Sequence, residues 1–342
     1  MSGTLTIHQA GPQMSVQDFG RPGYRASGMT RGGAADPLAL HEGAILLGQE
    51  PTLAAIEMVG AGGTFTADTN LRIALTGAPM KATLDGTPLT WNASHPMPAG
   101  ARLVIGGATS GTYGYLHIGG GIDLPLQMGA RSTHFGAGLG GALEAGDTLP
   151  VGADTGSGTG VALPRDDRFD GGCLRVVTSV QTDRFDDETI ARFTATAFAR
   201  DPRANRRGVR MEPPGEGFFA TDQLSILSEV ITIGDIQITG DGAPFVLMCE
   251  CQTTGGYPRI GTVIPADLPR VAQAPTGAEI RFDFIPLEEA IAIQQRAAAD
   301  LKALPGRCYP LVRDPHNIRD LLSYQLVGGV VSALADPFEK ET

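Results

Sequence analysis

The chain has 342 residues, with 47 glycines, 24 prolines and a formal net charge of −11 at pH 7. This length accommodates about two domains, and the many glycines and prolines indicate a turn-rich β protein rather than a helical one. The negative charge argues against a nucleic-acid partner. No apolar run approaches the roughly 20 residues that span a bilayer, and the first residues lack the features of an export signal. We therefore expect a cytoplasmic protein.

The first half is expected to consist of short strands separated by turns. Asp85-Gly86 between two apolar segments is a hairpin signal. One helix is predicted, because Asp36 can serve as an N-cap, Pro37 suits the first helical position and Gly48 ends the apolar pattern. Strands are predicted at residues 4–8, 71–75, 82–84, 89–91, 102–105 and 112–118.

A polar, glycine-rich stretch at 152–160 is interpreted as a linker or exposed loop. A helix capped by Thr182-Asp183 is predicted to run to about Thr196, and an alanine-rich helix from Glu288 to Leu304. The tail has an apolar segment at 321–334 that we expect to pack as a last helix. Further strands are predicted at residues 173–177, 225–227, 236–238, 245–249 and 280–285.

These elements do not alternate as βαβ units, so a doubly wound fold is not expected. The sequence indicates a mainly β protein with a few helices. The predicted divisions are an N-terminal β domain, 1–160, a C-terminal β domain, 161–286, and a helical extension, 287–342.

The four cysteines suggest neither a disulfide framework nor a metal site. Cys249 and Cys251 alternate along a predicted strand, so both would point to one face as buried, reduced thiols. The six histidines are scattered without ligand spacing, so no metal is expected.

Several glycine-bounded loops carry polar groups. In 16–24, Asp18 and Arg21 lie three residues apart and could face a small polar ligand, although a local surface ion pair is the alternative. The loop 252–258 follows an apolar run and offers an amide, hydroxyls and a ring beside two glycines, although it could equally be a tight corner. Arg131-Ser132-Thr133 adds a further cation.

The segment 136–141 matches G-x-G-x-x-G, but a turn at 145–147 follows it where a dinucleotide site requires a helix. We interpret it as a loop whose amides could hold an anion. The chain has no G-x-x-x-x-G-K-[ST] motif, and so no P-loop of its own.

Taken in order, six motifs resemble the allophanate hydrolase subunit 2 family over roughly residues 4–286. This chain departs from the family where Glu250-Cys251 precedes the last motif, since an aspartate is common there. The motifs are VQDFGRPGY (16–24), GGAADP (32–37), LTGA (75–78), GGGID (119–123), GARST (129–133) and QTTGGYP (252–258).

The resemblance implies two packed β-barrel domains of cyclophilin-like type and a subunit 1-type partner protein, possibly with a lactam-hydrolase subunit. It implies a subunit of a 5-oxoprolinase-type enzyme that hydrolyses a cyclic amide, 5-oxoproline, to glutamate, with ATP and Mg²⁺ used at the level of the complex. One alternative is a biotin-dependent carboxyltransferase of a urea amidolyase-like system. A second is a non-catalytic regulator that binds a Kip inhibitor-like subunit 1 protein.

For the leading hypothesis, the site needs cations for developing charge and carboxylates to orient water or accept a proton. The candidate catalytic residues are Asp18, Arg21 and Asp36. The candidate substrate-binding residues are Arg131, Ser132, Arg206, Gln252, Thr253, Thr254, Gly255, Gly256 and Tyr257.

Overall fold

The structure is a computed structural model that describes residues 3–221 and 227–312. Within these ranges it consists mainly of short strands, with four α-helices, so the predicted mainly β class with a few helices is confirmed. None of the described helices is both long and apolar enough to cross a membrane.

The first half of the chain is built from short strands and one helix. Its elements are β1 (Thr4–Gln9), β2 (Ser15–Gln17), α1 (Pro37–Leu47), β3 (Ala55–Val59), β4 (Thr64–Ala67), β5 (Leu71–Gly77), β6 (Met80–Leu84), β7 (Thr87–Leu89), β8 (Ala93–Met97), β9 (Leu103–Ala108), β10 (Tyr113–Ile118), β11 (Thr148–Pro150) and β12 (Val161–Ala162).

The second half adds the other three α-helices. Its elements are β13 (Gly172–Val177), α2 (Asp187–Ala195), β14 (Phe198–Arg200), β15 (Gly208–Glu212), β16 (Glu229–Val230), β17 (Asp235–Ile238), β18 (Pro244–Leu247), β19 (Thr254–Gly255), β20 (Arg259–Val263), α3 (Leu268–Gln273), β21 (Glu279–Phe284), α4 (Leu287–Ala303) and β22 (Tyr309–Pro310).

The first half folds into two sheets and the second into a closed barrel. One sheet has the order β11-β1-β4-β9-β6-β7, and the other β2-β3-β10-β5-β8-β12-β22. Apolar side chains of both sheets, such as Leu5, Phe65 and Ile73, share one core. The barrel runs β13-β20-β17-β18-β15-β14-β21, and β21 closes it by pairing with both β13 and β14.

Local signals in the sequence explain where α1 and the first hairpin lie. The Asp36 side chain accepts hydrogen bonds from the main-chain N–H groups of Leu38 and Ala39, and Gly48 ends the helix in the left-handed region. Asp85 and Gly86 have φ values of 47° and 82°, which a two-residue hairpin turn requires. Both predictions are confirmed.

Two local predictions were wrong. Thr182–Arg184 is only a short 3-10 turn, because the Thr182 hydroxyl binds the main chain of Ser179 and Ile260, and α2 is capped instead by Asp186. The strand before Cys249 ends at Leu247, and the Cys251 N–H closes a turn onto Met248. Strand alternation therefore does not orient the two thiols, although both are buried and all four cysteines are free.

The helix predicted at the C-terminal side is confirmed as α4, Leu287–Ala303. The apolar segment 321–334 lies outside the described residues. So does most of the predicted strand 225–227, whose last residue is described but is not part of a strand.

The two halves share both a core and buried ion pairs. One apolar cluster combines Tyr115 of β10 with barrel residues such as Val209 and Phe282. Arg168 reaches back from the start of the second half to bind Asp36 and Glu42 with 2.8 and 2.7 Å contacts. The junction of the halves is therefore a charged and ordered part of the interior.

Candidate functional site

An open cavity of about 430 Å³ lies where loops from both halves meet. The first half supplies residues 28–30 and the segment 134–137, which belongs to the glycine-rich loop. The second half supplies 250–253 together with Arg207. Thr30 fixes this junction, because its hydroxyl donates to the carbonyl of Cys251 at 2.9 Å.

Glu250 is a buried carboxylate at the wall of this cavity. One of its oxygens accepts a hydrogen bond from Nε of Arg206 at 2.6 Å, and the other accepts from the Gly136 N–H at 3.1 Å. The Arg206 guanidinium also binds the Glu57 carboxylate and the Gly33 carbonyl. Burial lowers the pKa of Arg206, but the surrounding negative groups raise it well above its ordinary value. Arg206 thus stays charged and fixes Glu250 in place.

His134 stands beside Glu250. Its Nδ1 accepts a hydrogen bond from the Ala137 N–H at 3.1 Å, and its Nε2 lies 3.4 Å from the Thr30 hydroxyl. Because that hydroxyl already donates to Cys251, this network assigns the proton to Nε2. Nδ1 is 3.7 Å from the Glu250 carboxylate. The cavity therefore presents an imidazole and a carboxylate side by side.

Arg207 supplies a second kind of group. It is exposed, and in residues 3–221 and 227–312 no carboxylate lies within ion-pair distance of its guanidinium. Gln252 is also exposed and Thr253 is half-buried at the same cavity. A guanidinium can bind a carboxylate, and an amide with a hydroxyl can bind a peptide-like group.

The structure brings together four of the predicted residues, none of which lines the cavity: Asp18, Arg21, Arg131 and Ser132. The buried Arg21 donates to the carbonyls of Gln127 at 2.8 Å and Ser132 at 2.6 Å, and to the Ser132 hydroxyl at 3.1 Å. The Asp18 carboxylate accepts from the Arg131 N–H at 2.6 Å. Asp18 and Arg21 both hold the loop 127–132, and neither lines this cavity.

The other predicted residues divide between three places. Asp36 is fully buried away from the cavity, where it caps α1 and accepts from Arg168 and Gln273, both at 2.8 Å. Arg206, Gln252 and Thr253 are at the cavity. Thr254, Gly255, Gly256 and Tyr257 belong to or follow β19, which pairs with β16, and they do not line the cavity.

The sequence did not single out His134, Glu250, Thr30 or Arg207 as site residues. Only indirect signals for these residues were present in it. The glycine-rich loop was predicted to hold an anion, and in the structure its Gly136 N–H donates to the Glu250 carboxylate. Glu250 was noticed only as a departure from a family pattern. Its buried partner Arg206 is 44 residues away, a separation from which no local pattern predicts contact.

The described residues form neither a P-loop nor a metal-binding cluster. The sequence has no G-x-x-x-x-G-K-[ST] motif, and in the described ranges no group of three His, Cys, Asp or Glu side chains is arranged to hold a metal ion. Asp36 and Glu42 are bound by Arg168.

The structure is a two-part β domain. Two packed sheets are joined through buried ion pairs to a closed barrel, and a polar cavity lies at the junction. The chain belongs to the family described as carboxyltransferase domain, subdomain A and B, whose model matches residues 27–284.

Similar proteins come from two kinds of enzyme. The chain is 35% identical over 298 residues to the C subunit of the 5-oxoprolinase of Escherichia coli (strain K12), covering 85% of this chain and 94% of that protein. It is 27% identical over 329 residues to the urea amidolyase of Saccharomyces cerevisiae, covering 88% of this chain but 18% of that protein. The crystal structure of TTHA0988 superposes with a TM-score of 0.74 at 28% identity, covering 82% of this chain and 56% of that chain.

Proposed function

We propose that this chain is a subunit of a 5-oxoprolinase-type enzyme and binds the cyclic amide in the cavity lined by Glu250, His134 and Arg207. The observation that carries the proposal is the combination of groups there: an unpaired cation, an amide donor and acceptor, and a fixed carboxylate. Similarity to the Escherichia coli protein over 94% of its length supports the same assignment.

Different side chains of the cavity bind different parts of the substrate. Arg207 binds the carboxylate of 5-oxoproline, since its guanidinium is exposed and unpaired in the described structure. Gln252 and Thr253 hydrogen-bond the lactam. The Glu250 carboxylate, held in place by Arg206, orients water or accepts its proton. His134, whose Nδ1 is occupied by the Ala137 N–H, stands beside Glu250 and holds this wall of the cavity in place.

Since the chain has no P-loop of its own, we propose that this chain supplies lactam-binding groups and that ATP is bound by partner subunits. Of the three catalytic candidates from sequence, Asp18 and Arg21 hold the loop 127–132 and Asp36 caps α1. The isolated chain should bind 5-oxoproline without consuming ATP. Partners of the subunit 1 type, with or without a lactam-hydrolase subunit, complete the enzyme.

The test compares Arg207→Ala and Gln252→Ala with the matched controls Arg296→Ala and Gln295→Ala, which change exposed residues of α4. Losing a hydrogen bond to a charged group costs about 1.5–3 kcal/mol. Arg207→Ala should therefore weaken 5-oxoproline binding at least about tenfold in calorimetry and lower oxoproline-dependent ATP hydrolysis by the reconstituted complex. Wild-type behaviour of both cavity variants would exclude this site.

The urea amidolyase relative favours a second candidate, biotin-dependent carboxyl transfer to a urea-like amide. The same cavity would then bind that amide. Product formation that needs a biotinylated carrier and not 5-oxoproline would select this function. Partner binding without any turnover would select the regulatory alternative.

A further inference from the structure

Arg200, at the end of β14, is a buried arginine without a carboxylate partner. It is 5% exposed, and in the described ranges its guanidinium makes one hydrogen bond, from Nη1 to the Thr276 hydroxyl at 3.1 Å. Its Nε is buried and has no acceptor, and no acceptor within the described chain reaches Nη2. These two nitrogens form one edge of the guanidinium, so the unpaired groups are two parallel N–H donors in a planar fork.

The other buried arginines of the described chain show which partners such a cation needs. Arg168, Arg206 and Arg259 each form ion pairs with at least two carboxylates. Arg21 donates to three main-chain carbonyls. Arg200 has a single neutral hydroxyl, although an unpaired charge is costly to bury. The site around Arg200 therefore lacks an anion.

The same edge of the guanidinium binds carboxylates elsewhere in this chain. Arg72 donates from Nε and Nη2 to the two carboxylate oxygens of Asp154, at 2.8 and 2.6 Å. Arg175 uses the same two nitrogens to bind the two oxygens of Asp267, at 2.9 and 2.5 Å. The free edge of Arg200 is thus shaped for a ligand with two coplanar oxygens, which is the geometry of a carboxylate.

The polar neighbours of Arg200 do not supply this anion. Burial lowers the pKa of Arg200, and Tyr113 and Asp201 raise it only in part, but an arginine stays protonated at neutral pH. Burial raises the pKa of the Tyr113 phenol, so that group is neutral. The Asp201 carboxylate is bound by the guanidinium of Arg203 at 2.5 Å. Because Thr276 is exposed, the guanidinium lies close to solvent, from which a small ion can reach it.

We propose that Arg200 binds a small carboxylate through Nε and Nη2, at a site separate from the substrate cavity. This inference goes beyond the proposed function and does not depend on it, since neither Arg200 nor Thr276 lines that cavity. The segment before Thr276 is tied to the first half, because the Thr112 hydroxyl donates to the Ala274 carbonyl at 3.1 Å. A carboxylate bound here neutralises a buried charge at the junction of the two halves and stabilises the folded chain.

The experiment uses sodium formate as the probe, because formate has two coplanar oxygens and little else. Tm of the full chain is measured by scanning calorimetry as formate replaces chloride at constant ionic strength. The Tm of wild type should rise by roughly 2–5 °C and level off as the site saturates. Arg200→Met should show no such rise, and it should fold at least as stably as wild type in chloride, since it removes an unpaired buried charge. Arg102→Met, at an exposed arginine, is the matched control and should respond like wild type.

A variant of the cavity separates the two sites. Arg207→Ala should keep the formate-dependent rise in Tm. An equal rise in wild type and Arg200→Met would overturn the inference, as would a wild-type Tm that is the same in formate and in chloride. If Arg207→Ala loses the rise and Arg200→Met keeps it, formate binds in the cavity and the inference fails. Because the probe is formate, a failure to bind or turn over 5-oxoproline would refute the proposed function without changing this result.

Discussion

Replacing Arg21 by methionine distinguishes a structural arginine from a catalytic one. Methionine fills the space of the arginine stem but donates no hydrogen bond. In the structure the Arg21 guanidinium donates to the Ser132 carbonyl at 2.6 Å, to the Gln127 carbonyl at 2.8 Å and to two weaker acceptors at 3.1 and 3.4 Å. The variant leaves these acceptors without that donor.

The magnitude follows from which acceptors water can reach. Gln127 is exposed, so its carbonyl can be rehydrated, and the Ala130 carbonyl keeps the hydrogen bond from the Gln127 N–H. The buried Ser132 carbonyl is the acceptor that loses its donor. A buried acceptor left unpaired costs about 1–3 kcal/mol, which gives a loss of roughly 2 kcal/mol for Arg21→Met. At about 2 °C per kcal/mol for a chain of this size, Tm should fall by roughly 4 °C.

Calorimetry and urea unfolding check this value, with Arg131→Ala as the control. Arg131 pairs with Asp123 at a partly exposed position, so its loss should cost less than about 1 kcal/mol. Binding of 5-oxoproline to folded Arg21→Met should stay within a few-fold of wild type. If the variant keeps its Tm and loses substrate binding, Arg21 is a ligand-binding cation and this description of the loop is wrong.

Three further results are expected. Burial lowers the pKa of His117 to about 3, so the unfolded chain binds a proton first as pH falls below about 6.5. Between pH 7 and 5.5 wild type should lose about 1 kcal/mol that His117→Gln does not lose, as measured by urea unfolding. Gly43→Ala should lower Tm, since the added carbon would lie 2.3 Å from the His117 ring; an increased Tm, usual for Gly→Ala in a helix, contradicts this. A thiol reagent should modify exposed Cys173 well before buried Cys249, whose pKa burial raises to about 12, and Cys173→Ser should remove the fast phase.

Much of the fold was predictable because its signals are local. Helix α1 begins after Asp36 and ends at Gly48, and both signals act through contacts within the helix itself. Asp85-Gly86 specifies its hairpin by backbone preference alone. The candidate site was not predictable in this way. Arg21 was identified by type and loop context, yet its partners lie more than 100 residues away and turn it inward.

The same limit explains the missed residues at the cavity. His134 and Glu250 come from different halves, and their contact depends on how the barrel packs against the sheets. Arg206 and Arg207 are adjacent and identical in type, so the sequence alone does not indicate that Arg206 is buried and Arg207 exposed. Only the tertiary arrangement separates a cation that holds the protein together from one that is free to bind a ligand.

The ion pairs between the halves also impose an order on biosynthesis. Glu57 leaves the ribosome 149 residues before its partner Arg206, a delay of roughly 7–30 s at about 5–20 residues per second. Until Arg206 is synthesised, burial of the Glu57 carboxylate is unfavourable because its cationic partner is missing. The same holds for Asp36 until Arg168 is synthesised. The nascent first half should therefore stay open and hydrated at this surface. Ribosome-bound chains that stop before Arg168 should be cleaved by protease near α1, and chains that extend past the barrel should resist.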